Sequence, residues 1–190
     1  MTNKNRWEFI PGDEITIAPG RTVKRIRALV AIDGFGVSPG DLGGYVESET
    51  NLAQVSGDAR VSGNAWVSGN AWVSGNARVY GDAWVYGDAR VSGNARVYGN
   101  AWVSGNARVY GDGLIFWASQ VGSENGTLTV YNTRDNTLQV TRGCFVGSVD
   151  EFLEASERKH DDDTHLEYRL LIEIAHSRIT RARVKLEAAQ

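Results

Sequence analysis

A six-residue phrase that repeats almost without variation from Val55 to Gly113 constrains this chain more than any other feature. It reads V-[SY]-G-[ND]-A-[RW], and its valine recurs at every sixth position from Val55 to Val109. A strict short period is interpreted before local propensity, because it sets how all the repeats pack. In a strand Ala-Arg-Val-Ser, Ala and Val point to one side, and the other two residues point to the opposite side. The phrase therefore predicts a stack of short strands with Val and Ala inside and corners at Gly-Asn or Gly-Asp.

This phrase is similar to the hexapeptide signature of left-handed parallel β-helix proteins. In that family an aliphatic residue, two or three variable residues and a small residue recur. The resemblance implies a triangular coil of three hexads, about 18 residues, with a short strand on each side. Many members pack as trimers through flat faces, so the resemblance favours a homotrimer. The interior, lined by Val and Ala, is too narrow for a ligand, and function is expected on the outer faces, the caps or an interface.

The 18-residue coil sorts the outward residues into three columns. The first contains Arg60, Arg78 and Arg96 beside Ser62, Tyr80 and Tyr98. The second contains Trp66, Trp84 and Trp102 beside Ser68, Tyr86 and Ser104, and the third contains Trp72, Arg90 and Arg108 beside Ser74, Ser92 and Tyr110. The first two columns hold the candidate binding or interface residues.

The tryptophans of the second column admit three interpretations. A contiguous exposed aromatic strip usually belongs to a subunit interface. It could instead stack a planar ligand such as a sugar or a base, or be covered by the C-terminal segment. The arginines and tyrosines of the first column could hold phosphate or carboxylate groups, including those of a small nucleotide, or stack on each other as cation–π pairs.

Residues 1–54 are interpreted as an N-terminal β cap. Ile26, Ala28, Val30 and Ile32 alternate, which predicts a strand over residues 23–32. Its cations, at positions 21, 24, 25 and 27, are expected to form the solvated side of a half-buried strand, with an anion or partner site as the alternative.

Residues 114–190 are predicted to form an α+β module. Strands are expected at 114–119, 127–131 and 138–141, with turns at Asn125-Gly126 and Asp135-Asn136. Ser148 and Glu151 form a capping box that opens a helix over about 149–159. A second helix over about 164–184 places its apolar residues on one side, and those residues are Leu166, Leu170 and Ile174, with His176 packed in the core beside them.

Two further stretches of this module could carry chemistry. The run from His160 to His165 contains two histidines and three aspartates that could bind zinc or manganese, but a solvated acidic linker is the preferred interpretation, so no metal or cofactor is expected. Cys144 could be a nucleophile, although a lone cysteine among strands usually packs in the core.

Composition narrows the function further. The chain has 190 residues, a formal charge of −3, one cysteine and no apolar N-terminal run, which predicts a soluble cytoplasmic protein without general nucleic-acid binding. Hexapeptide-repeat acyltransferases use a histidine base, and the related carbonic anhydrases bind zinc through three histidines. The repeat has no histidine or cysteine, so an enzyme of either kind is not expected.

The layout also resembles a group of phage- and prophage-encoded hexapeptide-repeat proteins. The matching stretches are RIRALVAI…GDLGGYVESETNLA, the VSGNAR/VYGDAW array and FWASQVGS…LTVY…TRGCFVGSVDEFL. The resemblance implies a phage context and assigns no activity. We expect a non-enzymatic oligomeric protein that inhibits or sequesters a host defence target. The alternatives are a structural virion component, such as a trimeric spike or fibre piece, and an enzyme or metal site in the C-terminal module.

Overall fold

The computed structural model describes residues 5–33, 36–54 and 57–189 of the chain. The first valine of the repeat, Val55, lies outside these residues. The N-terminal region forms β1 (Trp7–Ala18), β2 (Arg21–Ala28) and β3 (Leu42–Val46), which pair antiparallel in that order, followed by a 3₁₀ turn at Glu49–Asn51.

The predicted strand over residues 23–32 is shorter than expected, because β2 ends at Ala28. Its buried residues are Val23 and Ile26, three positions apart, and a register shift against β3 follows Arg25. Such a shift breaks the two-residue alternation on which the prediction depended. The long strand β1 was not predicted. Its pairing with β2 shifts register between Phe9 and Glu14. Pro11-Gly12, which the sequence marks as a turn, lies within this interval.

The repeat forms a parallel β-solenoid of about four coils, in which strands of two or three residues pair with strands 18 residues away. The strands are β4 (Arg60–Val61), β5 (Trp66–Val67), β6 (Trp72–Val73), β7 (Arg78–Val79), β8 (Trp84–Val85), β9 (Arg90–Ser92), β10 (Arg96–Val97), β11 (Trp102–Val103) and β12 (Arg108–Tyr110). They form three sheets, β5-β8-β11, β4-β7-β10 and β6-β9-β12, and β3 joins the first sheet in parallel through β5. The predicted coil length and column membership are confirmed.

Valine and alanine fill the interior, as predicted. From Val61 to Val109 every valine and alanine of the hexads has an exposed fraction of 2% or less. At each corner the glycine takes the positive φ, while Asn and Asp have another role. The Asn64 amide donates to Asp82 at 3.1 Å, and the Asn70 amide donates to Asp88 at 3.0 Å, so these side chains bond one coil to the next.

The C-terminal module packs on the last coil. It contains β13 (Ile115–Val121), β14 (Gly126–Asn132), β15 (Leu138–Arg142) and β16 (Phe145–Ser148) in one antiparallel sheet, then α1 (Val149–Lys159) and α2 (Asp162–Glu187). The Trp102 amide donates to Thr129 Oγ1 at 3.2 Å, and Thr141 Oγ1 donates to the Trp102 carbonyl at 2.8 Å. These bonds occupy backbone groups that a further coil would otherwise pair.

The capping box at Ser148 and Glu151 and the three predicted strands of this module are confirmed, and β16 is an additional strand. The predicted core side of α2 is wrong. Leu166, Leu170, Ile174 and His176 are exposed, and the buried residues are Tyr168, Ile172, Ala175 and Ile179. The helix carries apolar residues on two sides, so periodicity alone did not identify the packed one. Cys144, expected in the core, is also exposed, because it lies in the turn between β15 and β16.

Among the described residues, no helix combines the length and the apolar character that crossing a membrane would require.

Candidate binding face

The three tryptophans of the second column stack on one another, and we call Trp66, Trp84 and Trp102 the tryptophan column. The ring centroids of Trp66 and Trp84 are 4.7 Å apart with an interplanar angle of 6°, and those of Trp84 and Trp102 are 4.5 Å apart with an angle of 8°. All three are half-buried. Both faces of the Trp84 ring are covered by its neighbours, so the column presents ring edges to its surroundings.

The backbone explains this stacking. Trp66, Trp84 and Trp102 are register partners in the parallel sheet β5-β8-β11. Neighbouring strands lie about 4.8 Å apart, which is close to the distance at which aromatic rings stack. Tryptophans at the same hexad position in three successive coils therefore form a continuous stacked strip.

A groove of about 350 Å³ lies between the tryptophan column and the tip of the β1–β2 hairpin. The hairpin contributes Thr16, Ile17 and Arg21, and the sheet adds Tyr86 beside the column. Arg21 is fixed by Glu47, to which its Nε and Nη2 donate at 3.0 and 2.7 Å. These bonds lower the pKa of Glu47 and raise that of Arg21, so the pair is ionised and mutually neutralised.

A second groove, of about 400 Å³, lies between the column and the turns of the C-terminal sheet. Asp82, Asn100 and Arg142 are among its lining residues. Arg142 is anchored, because its Nε donates to the Tyr168 hydroxyl at 3.1 Å. A side chain at Gly126 would place its Cβ only 2.4 Å from the Arg142 guanidinium, so the glycine leaves the space that this guanidinium occupies.

The column of Arg60, Arg78 and Arg96 also forms as predicted, through the pairing of β4, β7 and β10. Beside it Tyr80 and Tyr98 stack with centroids 4.9 Å apart, and the Trp117 ring meets Tyr98 edge-on at 4.3 Å. Burial, followed by the charge of Arg78, lowers the pKa of Arg60. Arg96 and Tyr98 are exposed, so this face is less enclosed than the tryptophan column.

In the third sheet a single tryptophan shares its column with arginines. Trp72 pairs with Arg90 in the next coil, and the Arg90 guanidinium lies 5.4 Å from the Trp72 ring centroid. Trp72 has an exposed fraction of 38%, and its column continues with arginine instead of a second tryptophan. It therefore provides a tryptophan at the same hexad position outside the stacked column.

The arginines of β2 have partners within the chain. Arg25 Nε lies 2.9 Å from Asp13 and its guanidinium stacks on Tyr45, while Arg27 bonds Glu8. Arg21 bonds Glu47, as described above. These ion pairs stabilise the N-terminal cap and account for the arginines of this strand. They give no support to the alternative of an anion site there.

The acidic run that was predicted as a linker lies mostly in the first turn of α2, which begins at Asp162 instead of about residue 164, and its aspartates are solvated as expected. Asp161 is the N-cap of α2, where its carboxylate accepts from the Thr164 amide at 2.8 Å. His160 Nδ1 lies 3.2 Å from the Ser123 hydroxyl, and His165 Nδ1 lies 3.3 Å from that of Ser156. In the ranges that the structure describes, no three His, Cys, Asp or Glu side chains are grouped as metal ligands would be.

The sequence identified the tryptophan column and the Arg–Tyr column but missed the borders of the grooves. Thr16 and Ile17 come from a strand that was not predicted, and Arg142 comes from the far end of β15. Their approach depends on how the two end modules fold against the solenoid. No local pattern in the chain encodes that approach.

Comparison with known proteins supports the solenoid. A family model described as the YdcK beta solenoid repeat matches residues 53–69, 71–87 and 89–105. Successive matches begin 18 residues apart, the interval that separates paired strands. The chain thus contains a β-solenoid repeat similar to that family. Neither the curated proteins nor the solved structures include a match.

Proposed function

We propose that this chain is a non-enzymatic binding protein whose partner binds over the tryptophan column and its two bordering grooves. The observation that carries the proposal is the rigid, half-exposed stack of Trp66, Trp84 and Trp102 between the hairpin tip and the turns of the C-terminal sheet. Aromatic residues held in place lose little entropy when a partner covers them, and for this reason they dominate many binding surfaces.

The ring geometry favours a protein partner along most of the column. A sugar or base that stacks on tryptophan needs a free ring face, and Trp84 has neighbours on both. Ring edges and the adjacent Tyr86 instead offer a continuous apolar strip with polar residues at its borders. This arrangement resembles the apolar core and polar rim of protein interfaces.

The setting that we propose follows from the resemblances of the sequence. The solenoid would be a left-handed, triangular hexapeptide β-helix in a phage- or prophage-encoded protein, acting in the host cytoplasm. It would inhibit or sequester a component of host defence. The sequence resemblance favours assembly as a trimer, and a trimer compatible with this function has to leave the tryptophan column open.

The proposal is tested by capture of host proteins on immobilised wild-type, Trp84→Ala and Trp72→Ala chains. Trp72 is the matched control, because it occupies the same hexad position on another sheet. We expect a defined host protein that the wild type and Trp72→Ala retain and that Trp84→Ala loses. Equal capture by all three chains would refute the assignment of this face. Abundant protein in purified virions would favour the structural alternative.

A further inference from the structure

The outer side of α2 carries an exposed apolar stripe. Leu166, Leu170 and Ile174 have exposed fractions of 41%, 49% and 49%. A spacing of four residues places them on adjacent turns of the same side of the helix. The opposite side of α2 packs on the C-terminal sheet through other residues, so this stripe has no role in the core of its own chain. Three neighbouring exposed aliphatic side chains form a continuous patch, which is a usual sign of an interaction surface.

Charge is distributed unevenly along the same helix. Residues 162–174 contain four carboxylates, Asp162, Asp163, Glu167 and Glu173, and one cation, Arg169, for a formal charge of −3. Residues 175–187 contain four cations, Arg178, Arg181, Arg183 and Lys185, and one carboxylate, Glu187, for a formal charge of +3. Arg183 donates to Asn132 Oδ1 and the Thr137 carbonyl of its own chain, and Glu167 accepts from the Gly122 amide. The remaining charged residues still give the two halves of α2 opposite formal charges.

We propose that the stripe binds α2 of a second copy of this chain, with the two helices antiparallel and related by a twofold axis. Antiparallel pairing places the acidic half of each helix against the basic half of the other. Parallel pairing would place like charges together and be unfavourable. A twofold axis makes every contact twice, as in most symmetric contacts between identical chains. This interface lies outside the tryptophan column and does not depend on the function proposed for it.

Two pairs of residues on α2 are consistent with the same position of the twofold axis. Asp163 and Arg181 are both exposed and are separated by 18 residues, which is five full helical turns, so they lie on the same side of α2. Same-side residues meet across an antiparallel helix pair. With the axis near residue 172, Asp163 faces Arg181 of the second copy, and Leu170 faces Ile174. The same axis places Leu166 opposite Arg178. Leu170 and Ile174 therefore form the apolar centre of the arrangement, and Asp163 and Arg181 form its charged ends.

The expected interface is small. The overlap of residues 162–182 is about 30 Å long and about 10 Å wide, which gives about 600 Å² over both copies. Interfaces well below about 1,200 Å² are usually transient. We therefore expect association that depends on concentration and weakens as salt screens the charges.

The experiment is sedimentation velocity of the full chain from low micromolar to submillimolar concentration. We expect Leu170→Glu to weaken association by at least about tenfold, and Leu170→Met to preserve it. Asp163→Lys and Arg181→Glu should each weaken association, whereas the double variant should recover it by recreating the opposite pairs. Glu157→Lys, a charge reversal on the exposed side of α1, is the control. Circular dichroism confirms that each variant is folded.

The outcomes are distinct. A wild-type mass twice that of Leu170→Glu at high concentration, together with recovery in the double variant, supports the proposal. The factor is two if the remaining unit is a monomer. A trimer formed through the solenoid would carry three stripes, and the factor would then be two or more. Equal masses for wild type and Leu170→Glu, or a double variant no better than either single one, would overturn it.

Discussion

The close stacking of coils at the corners predicts that a single added methyl group will be costly there. Gly75 has a φ of +64°, and a Cβ at this position would lie 2.9 Å from the backbone nitrogen of Gly93 in the next coil. Gly75→Ala therefore has two costs. The left-handed conformation costs about 1–2 kcal/mol for an L-residue, and overpacking against backbone adds about 1–3 kcal/mol.

Gly20 and Gly143 separate these two costs. They have φ values of +73° and +57°, but a Cβ at either position would have nothing within 4 Å. Alanine at these two positions therefore has only the conformational cost. In all three variants, replacing glycine also lowers the entropy of the unfolded chain, which offsets about 0.4–1 kcal/mol of the loss. We expect a loss of unfolding free energy of about 2–4 kcal/mol for Gly75→Ala and about 1 kcal/mol for each control.

Urea unfolding, followed by circular dichroism, measures the difference. The slope of free energy against urea has to be unchanged, so that the midpoints report stability. If Gly75→Ala and the two controls lose the same free energy, the coils are not in backbone contact at this corner. That result would refute close stacking of the coils at their corners.

Three further predictions concern the column and the C-terminal module. Trp84→Ala removes two ring stacks and Trp102→Ala one, at about 0.5–1.5 kcal/mol per stack, so urea unfolding should show the larger loss for Trp84→Ala. Burial raises the pKa of Tyr131 from 10 to about 12. The folded chain thus keeps a proton that the unfolded chain loses, and stability should fall as pH rises from 10 towards 12, less steeply in Tyr131→Phe. Ser148→Ala removes the cap of α1 and should cost about 1 kcal/mol in thermal or urea unfolding.

Each of these three predictions would be contradicted by a specific result. Equal losses for the two tryptophan variants would show that the rings do not stack in solution. An alkaline decline of the same slope in wild type and Tyr131→Phe would assign that decline to other groups. An unchanged midpoint in Ser148→Ala would mean that α1 does not unfold with the rest of the chain.

The solenoid could be predicted from the sequence because the residues that form it recur every six positions. Once the coil is 18 residues long, the pairing of Trp66, Trp84 and Trp102 follows from their numbers alone. The interior follows in the same way, since valine and alanine occupy the same hexad positions in every coil. The candidate site could be found only as far as it lies on these columns.

The end modules could not be predicted to the same degree, for physical reasons. In α2 the stripe from Leu166 to Ile174 and the buried set around Ile172 are both apolar, and the choice between them depends on the sheet that packs there. In β2 the arginines look like a solvated side, but their carboxylate partners Asp13 and Glu8 come from β1. Such pairings depend on tertiary contacts that leave no period in the sequence.

The most direct test of the proposed binding face uses one tyrosine on each of two sheets. Tyr86 lies beside the tryptophan column, and Tyr98 occupies the equivalent hexad position beside the arginine column. Each is replaced in turn by the photo-crosslinking residue p-benzoylphenylalanine, and the chains are irradiated in host cells. We expect a defined cross-linked host protein from position 86 and none from position 98. A cross-link from position 98 with none from position 86 would contradict it.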